Sequence, residues 1–172
     1  ADNWRFQASA NPGGPLFQCG IHKIDLLRFL VGEGRWTAGI VQRDFTAAPT
    51  DDAYVMMGVF GGVPCTMHSH YVASYRHSVE LYGTKGNLYA SEYPTRLEHK
   101  TTDTALNIEE CRDITAEIPT SHAERDALID FAQAVRERRQ PAMSGREGLR
   151  AIELVFEAVA TATPSCSAQG RS

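Results

Sequence analysis

Apolar and polar positions recur along this chain with two different periods, and each period predicts a different element. From Ile21, the residues Ile21, Ile24, Leu27 and Val31, with Leu26, Phe29 and Leu30 beside them, form an apolar stripe at helical spacing that stops at Gly32 and Gly34. The spacing predicts an amphipathic helix there. Residues 1–15 hold Asn3, Asn11, Pro12, Gly13, Gly14 and Pro15 and show no period, which reads as a loop.

The middle third switches to short runs of β-branched and aromatic residues between turn formers. Strands are expected at 36–46, 53–60, 64–73 and 76–83, with shorter ones near 87–91, 95–99 and 113–118. Gly61-Gly62-Val63-Pro64 and Gly83-Thr84-Lys85-Gly86-Asn87 read as hairpin turns. Strands joined by links this short pair antiparallel, because a parallel return needs a dozen or more residues. Two further helices follow, each opening on a capping-box pattern, Ser121-His122-Ala123-Glu124 and Ser144-Gly145-Arg146-Glu147. Leu128, Phe131, Ala132 and Val135 line one face of the first, and Leu149, Ile152, Phe156 and Val159 one face of the second. Pro141 separates them, and residues 164–172 read as a loose tail after a domain spanning 1–163.

A helix, a run of strands and two closing helices predict the α+β class: a largely antiparallel open sheet with helices packed on one face. Along 53–60, Ala53, Val55, Met57 and Val59 point one way and Tyr54, Met56 and Phe60 the other, so neither side of that strand is polar. The face without helices is therefore expected to meet a partner, most simply a second copy in a homo-oligomer.

Composition narrows the function classes. A chain of 172 residues, 42% hydrophobic and 22% charged, suits one soluble domain with a sizeable core. The net charge of −4 offers no concentrated positive field, and the run Arg136-Glu137-Arg138-Arg139 carries its own acid, which argues against nucleic acid as a partner. No apolar run reaches the roughly 18 residues of a membrane span, and no secretory leader is visible. Cys19, Cys65, Cys111 and Cys166 stand singly with no C-x-x-C spacing, which suits free thiols and a cytoplasmic location.

Motifs for chemistry are few. There is no G-x-G-x-x-G, no P-loop and no G-x-S-x-G elbow, and Gly13-Gly14 run directly into Pro15, Leu16 and Phe17, which does not suit a phosphate cradle. His68 and His70 share one face of a strand, but no third ligand stands at a diagnostic spacing. That pair reads as a polar patch or an interface pair, and no metal is expected. His77, His99 and His122 are isolated. His22 remains, at the junction of loop and helix, where a catalytic and a structural role both stay open. The partial positive charge of a helix N-terminus would favour a neutral imidazole, the form that accepts a proton.

The stretch G-G-P-L-F-Q-C-G-I-H-K-I-D-L-L-R-F-L-V-G-E, residues 13–33, resembles the signature of the Gfo/Idh/MocA oxidoreductases, in which a glycine pair leads into D-x-G-x-H-x-x-D and a Leu-rich helix. V-E-L-Y-G-T-K-G-N-L at 79–88 resembles that family's sheet hairpin, and 124–141 with 144–154 its closing helix pair. The resemblance implies a two-domain enzyme with NAD or NADP on an N-terminal Rossmann domain, of which this chain is the C-terminal, substrate-binding and oligomerising part. The Rossmann domain and its Glu-Lys-Pro lysine are then absent from this sequence, so no cofactor and no activity are expected of the chain alone. It further implies that His22 is the catalytic base for a sugar, polyol or related hydroxy compound. Gln18 stands where many members carry an acid four residues before that His, and Asp25 matches the second Asp of the motif; both would lie just behind the site. Trp4 and Arg5 resemble a W-R pair near the substrate pocket. The alternative is a non-catalytic binding or assembly domain that keeps the fold.

Overall fold

The computed structural model describes residues 3–43, 45, 49–92, 94–103, 108–119 and 122–165. The chain divides into two compact units, residues 1–73 with 133–172, and residues 74–132.

The first unit holds β1 (Gly34–Gln42), β2 (Ala53–Phe60), β3 (Val63–His70) and the short β8 (Ala162–Pro164) in one sheet of order β3-β2-β1-β8. The pairs β1–β2 and β2–β3 are antiparallel, whereas β8 lies parallel to β1 through Gly39, Ile40 and Val41. The second unit holds β4 (His77–Gly83), β5 (Gly86–Glu92), β6 (Arg96–Asp103) and β7 (Ile108–Asp113), an antiparallel meander in sequence order. The α+β class and the antiparallel pairing are as the pattern predicts, but the strands belong to two sheets.

Three helices complete the chain: α1 (Ile21–Val31), α2 (Ala123–Glu137) and α3 (Gly145–Thr161). In the first unit, α1 and α3 cover one face of the sheet. Leu16 and Ile24 from the α1 side meet Leu154, Val155 and Ala158 of α3 over Trp36, Val41, Tyr54, Met56, Phe60 and Met67 of the strands, all buried. Trp36 stacks edge-on against Phe60 at 4.9 Å and donates its indole N–H to the Leu154 carbonyl at 3.0 Å, so its one polar atom is satisfied inside the core. The opposite face stays open: Ile40, Val55, Met57 and Val59 are 53, 46, 54 and 38% exposed. On α2, Leu128, Phe131 and Val135 are exposed and Ala134 is buried.

Several expectations need correction. Residues 113–118 are not a strand: β7 ends at Asp113 and a 3-10 turn occupies Thr115–Glu117. The strand lies one step earlier, in the polar run Ile-Glu-Glu-Cys-Arg-Asp, because an edge strand needs ladder hydrogen bonds rather than an apolar face. Pro164, the first residue of the expected loose tail, pairs with Val41 of β1; residues 166–172 of that tail lie outside the described residues, as does Ser121 of the first capping box. The second box does not close. Ser144 makes no side-chain cap, and the Glu147 carboxylate accepts from Arg28 at 2.6 Å, a charge-assisted bond across to α1 that outcompetes a neutral backbone N–H.

Arg28 is the joint between the helices and β1. Its side chain is only 7% exposed and meets Asp25 at 3.2 Å, Glu147 at 2.6 Å and Glu33, while Arg150 of α3 reaches the other oxygen of Glu33 at 3.1 Å. The hydrogen bond from Arg28 holds the Glu33 carboxyl below its ordinary value of 4.5. A depressed carboxyl adds stability that is present above 4.5 and lost as pH falls towards its lower folded value.

Two expectations follow. Glu33→Gln should flatten the loss of stability below pH 4.5, read as urea midpoints across that range. The β2–β3 hairpin turns on Gly61 and Gly62, both in the left-handed region at φ 56° and 79°. A Cβ at Gly62 meets nothing within 4 Å, whereas one at Gly61 would sit 1.6 Å from the Val31 carbonyl oxygen. Gly62→Ala should therefore cost about 1 kcal/mol and Gly61→Ala about 3 kcal/mol or more in urea unfolding, since only the second forces backbone apart.

Candidate functional site

The site is built on the start of the first helix. Gly13 and Gly14 turn the chain at φ 86° and 48°, and Pro15 enters the helical region at φ −64°, the angle its ring favours in a first helical turn. A π-helical turn then runs over Leu16–Gly20 and continues without a break into α1. The helix thus begins a turn earlier than the apolar stripe suggests. His22 is inside the second turn, not at the terminus, and the argument from the helix dipole no longer applies to it.

Ile24 on this helix is fully buried, and His22 is exposed. Among the described residues the His22 ring takes part in no hydrogen bond or ion pair. Gln18 is half-buried one turn before it, and its amide Nε2 is buried with no hydrogen-bond partner. A buried amide donor without an acceptor is costly. Asp25 is turned to Arg28 at 3.2 Å, which places its carboxylate in the helix-to-helix joint.

Trp4 and Arg5 form a 3-10 turn, Trp4–Phe6, whose first residues are capped by the Asn3 carboxamide oxygen accepting from the Arg5 N–H at 3.1 Å. Both side chains are exposed, and the Arg5 guanidinium lies 5.3 Å from the centre of the Trp4 ring, a cation–π pair. Asn11 holds this turn in place: fully buried, it donates from Nδ2 to the Arg5 carbonyl at 2.6 Å and to the Tyr71 hydroxyl at 2.9 Å. Tyr71 in turn packs edge-on against Phe6 at 6.2 Å, and burial pushes its phenol pKa up. In the sequence Asn11 reads only as a loop former. Its signal was an amide-bearing residue in a Pro-Gly loop, where buried backbone needs side-chain partners.

A cavity of about 300 Å³ lies on the far side of the same loop, bounded by Asn11, Pro12, Gly13, Arg43, Thr50 and Asp51 among others. None of the five residues implied by the sequence, Trp4, Arg5, Gln18, His22 and Asp25, lines it. Its floor is the Asp51 carboxylate, which accepts from Arg43 on one oxygen and from the Tyr54 hydroxyl on the other; burial, then this bond, drives the Tyr54 pKa far up. Asp51 thus locks the link between β1 and β2.

A dinucleotide does not fit here. Glycines that cradle a pyrophosphate leave their backbone open to it. A Cβ on Gly14 would instead fall 2.3 Å from the Asp51 carbonyl oxygen, and one on Gly13 2.6 Å from Val159, so this turn is filled by the protein's own atoms. Among the described residues no group of three or more His, Cys, Asp or Glu could hold a metal ion, and no helix is long and apolar enough to cross a membrane.

Known proteins share this architecture. A structure from Desulfitobacterium hafniense, assigned to the NADPH-dependent oxidoreductases, superposes with a TM-score of 0.83 at 22% identity over 92% of this chain and 48% of its own. Levoglucosan dehydrogenase in complex with NADH gives 0.71 at 20% identity, over 93% of this chain and 52% of that one. UDP-N-acetylglucosamine 3-dehydrogenase GnnA from Acidithiobacillus ferrooxidans gives 0.71 at 12% identity, over 91% and 49%. The chain spans about half the length of these structures, and the likeness establishes the fold. No curated protein matches the sequence. The GFO/IDH/MocA C-terminal domain profile matches residues 1–89, just over half of the 172. With the glycine turn, α1 and strands β1 to β3 all inside that span, the chain belongs to the GFO/IDH/MocA C-terminal domain family.

Proposed function

We propose that this chain is the substrate-binding part of an NAD(P)-dependent oxidoreductase acting on a sugar, polyol or related hydroxy compound. The observation that carries this reading is the His22 imidazole, exposed on α1 and, among the described residues, without a hydrogen-bond or ion-pair partner. A ring packed away or bonded into the fold could not reach an alcohol; this one can. A nicotinamide bound outside this chain would supply the hydride acceptor for such an oxidation. The alcohol proton passes to the unprotonated ring nitrogen of His22, leaving a carbonyl and an imidazolium.

Gln18 supplies the neighbouring polar group. Reorientation of the amide brings either its Nε2, buried in this structure, to a substrate oxygen or its oxygen to the His22 ring. Either orients the pair without adding charge, whereas a carboxylate at this position would also stabilise the imidazolium. Trp4 and Arg5 present an aromatic face and a fixed cation, chemistry that suits a sugar ring and its oxygens. Levoglucosan dehydrogenase, of the same fold, is recorded with NADH and L-sorbose, which supports a carbohydrate-like substrate class.

The open face of the first sheet is the proposed contact with a second copy. Ile40 and Val55 are paired across β1 and β2, and Met57 and Val59 continue the apolar row along β2.

Joined to its cofactor-binding half, His22→Ala should lower kcat for polyol or sugar oxidation on the order of 10²-fold or more while the fold is retained. Unchanged turnover would leave the domain an assembly module. Gln18→Asp in the same protein should raise the apparent pKa of the basic group and so move the ascending, low-pH limb of the pH–rate profile to higher pH, because a nearby negative charge favours imidazolium; a static profile would mean the two side chains do not communicate. Met57→Glu should shift the sedimentation of the chain towards monomer, since it buries an unpaired charge in the apolar face. An unaltered sedimentation coefficient would place the contact elsewhere.

A further inference from the structure

One cluster on the first unit is used neither by the core nor by the proposed site. His68 and His70 are both exposed on β3, the edge strand of the sheet, and point to the open face. Side chains two apart on a strand start about 7 Å from one another, yet these rings lean together. Their centroids are 5.3 Å apart, and His70 Nε2 lies 3.3 Å from His68 Nδ1.

We propose that His68 Nδ1 and His70 Nε2 form a two-nitrogen chelating site for a late first-row divalent cation, Zn²⁺ or Cu²⁺. The spacing is that of two ligands rather than of two independent surface residues. Nitrogens about 2.0–2.1 Å from one tetrahedral ion stand roughly 3.3–3.4 Å apart, so the 3.3 Å pair needs almost no movement to accept it. Imidazole is the ligand type these ions favour over Mg²⁺ and Ca²⁺, which select oxygen.

The surroundings suit the same chemistry. The residues registered opposite on β2 are Val55 for His68 and Ala53 for His70, so no side chain there competes for the rings. Without metal, one ring donates an N–H to the lone pair of the other. When the ion enters, that proton moves to the donor ring's other nitrogen and both facing lone pairs bind the cation, so neither ring gains or loses a proton overall. With two protein ligands, the remaining coordination positions belong to water, on the side of an edge strand with no further strand beyond it.

The test is a calorimetric titration of the chelator-treated chain with ZnCl₂, repeated for His68→Ala, His70→Ala and, as a control, His122→Ala. The parent and the control should show one site that either β3 substitution weakens roughly tenfold or more. Equal binding by all four chains would overturn the proposal. A second measurement needs no variant: substoichiometric Cu²⁺ should broaden the backbone amide resonances of residues 67–71 and of the facing residues 53–55 before those near any other histidine. Broadening that begins elsewhere would overturn it as well.

Discussion

The seating of α1 on the first sheet is the contact on which the rest of this unit depends. One side of the helix is apolar: Leu16 in its π-helical turn and Ile24 in α1 are fully buried against Leu154, Val155 and the strand residues beneath. The other device is ionic. Arg28 is almost wholly buried among carboxylates from α1, from the approach to β1 and from α3. A guanidinium taken out of water in this way is tolerable only because every neighbour is an acceptor, and removing one leaves a buried charge short of a partner. Together the apolar side and the ionic joint fasten α1 to α3 and to the approach to β1, with His22 on the exposed side.

That seating explains the division of labour along one short helix. Positions 16, 20 and 24 go inward, position 28 goes to the ionic joint, and position 22 is left to solvent. Gln18 lies between, with one amide nitrogen already stripped of water and nothing to bond. A second support comes from Asn11, which ties the Trp4–Arg5 turn to Tyr71 just beyond β3, so two segments carrying exposed polar and aromatic groups are held by the same unit. The arrangement is a rigid platform that exposes chemistry without enclosing it.

The open face of the sheet is the complementary constraint. Two helices cover one side of the four strands, and on the other side Ile40, Val55, Met57 and Val59 stay half exposed. At the margin of that face the two histidines of β3 converge, placing a pair of nitrogen ligands beside apolar surface.

Local pattern alone was enough for the helices, the antiparallel hairpins and the two-faced character of β2, because a 3.6- or 2-residue period is a property of neighbours in sequence. The glycine pair at 61–62 was likewise legible, since positive φ at both turn positions is a local demand. The motif around His22 pointed to the right family for the same reason: it is contiguous. What needed the tertiary structure were the pairings between distant residues. Glu147 bonds Arg28 rather than its own helix, Ala162–Pro164 returns parallel to β1, and the meander parts into two sheets. Each is a competition between a local partner and a remote one, and periodicity carries no information about the remote one. The extra helical turn before Ile21 belongs to the same class, because its residues are held by α3 and β3 rather than by an apolar stripe of their own.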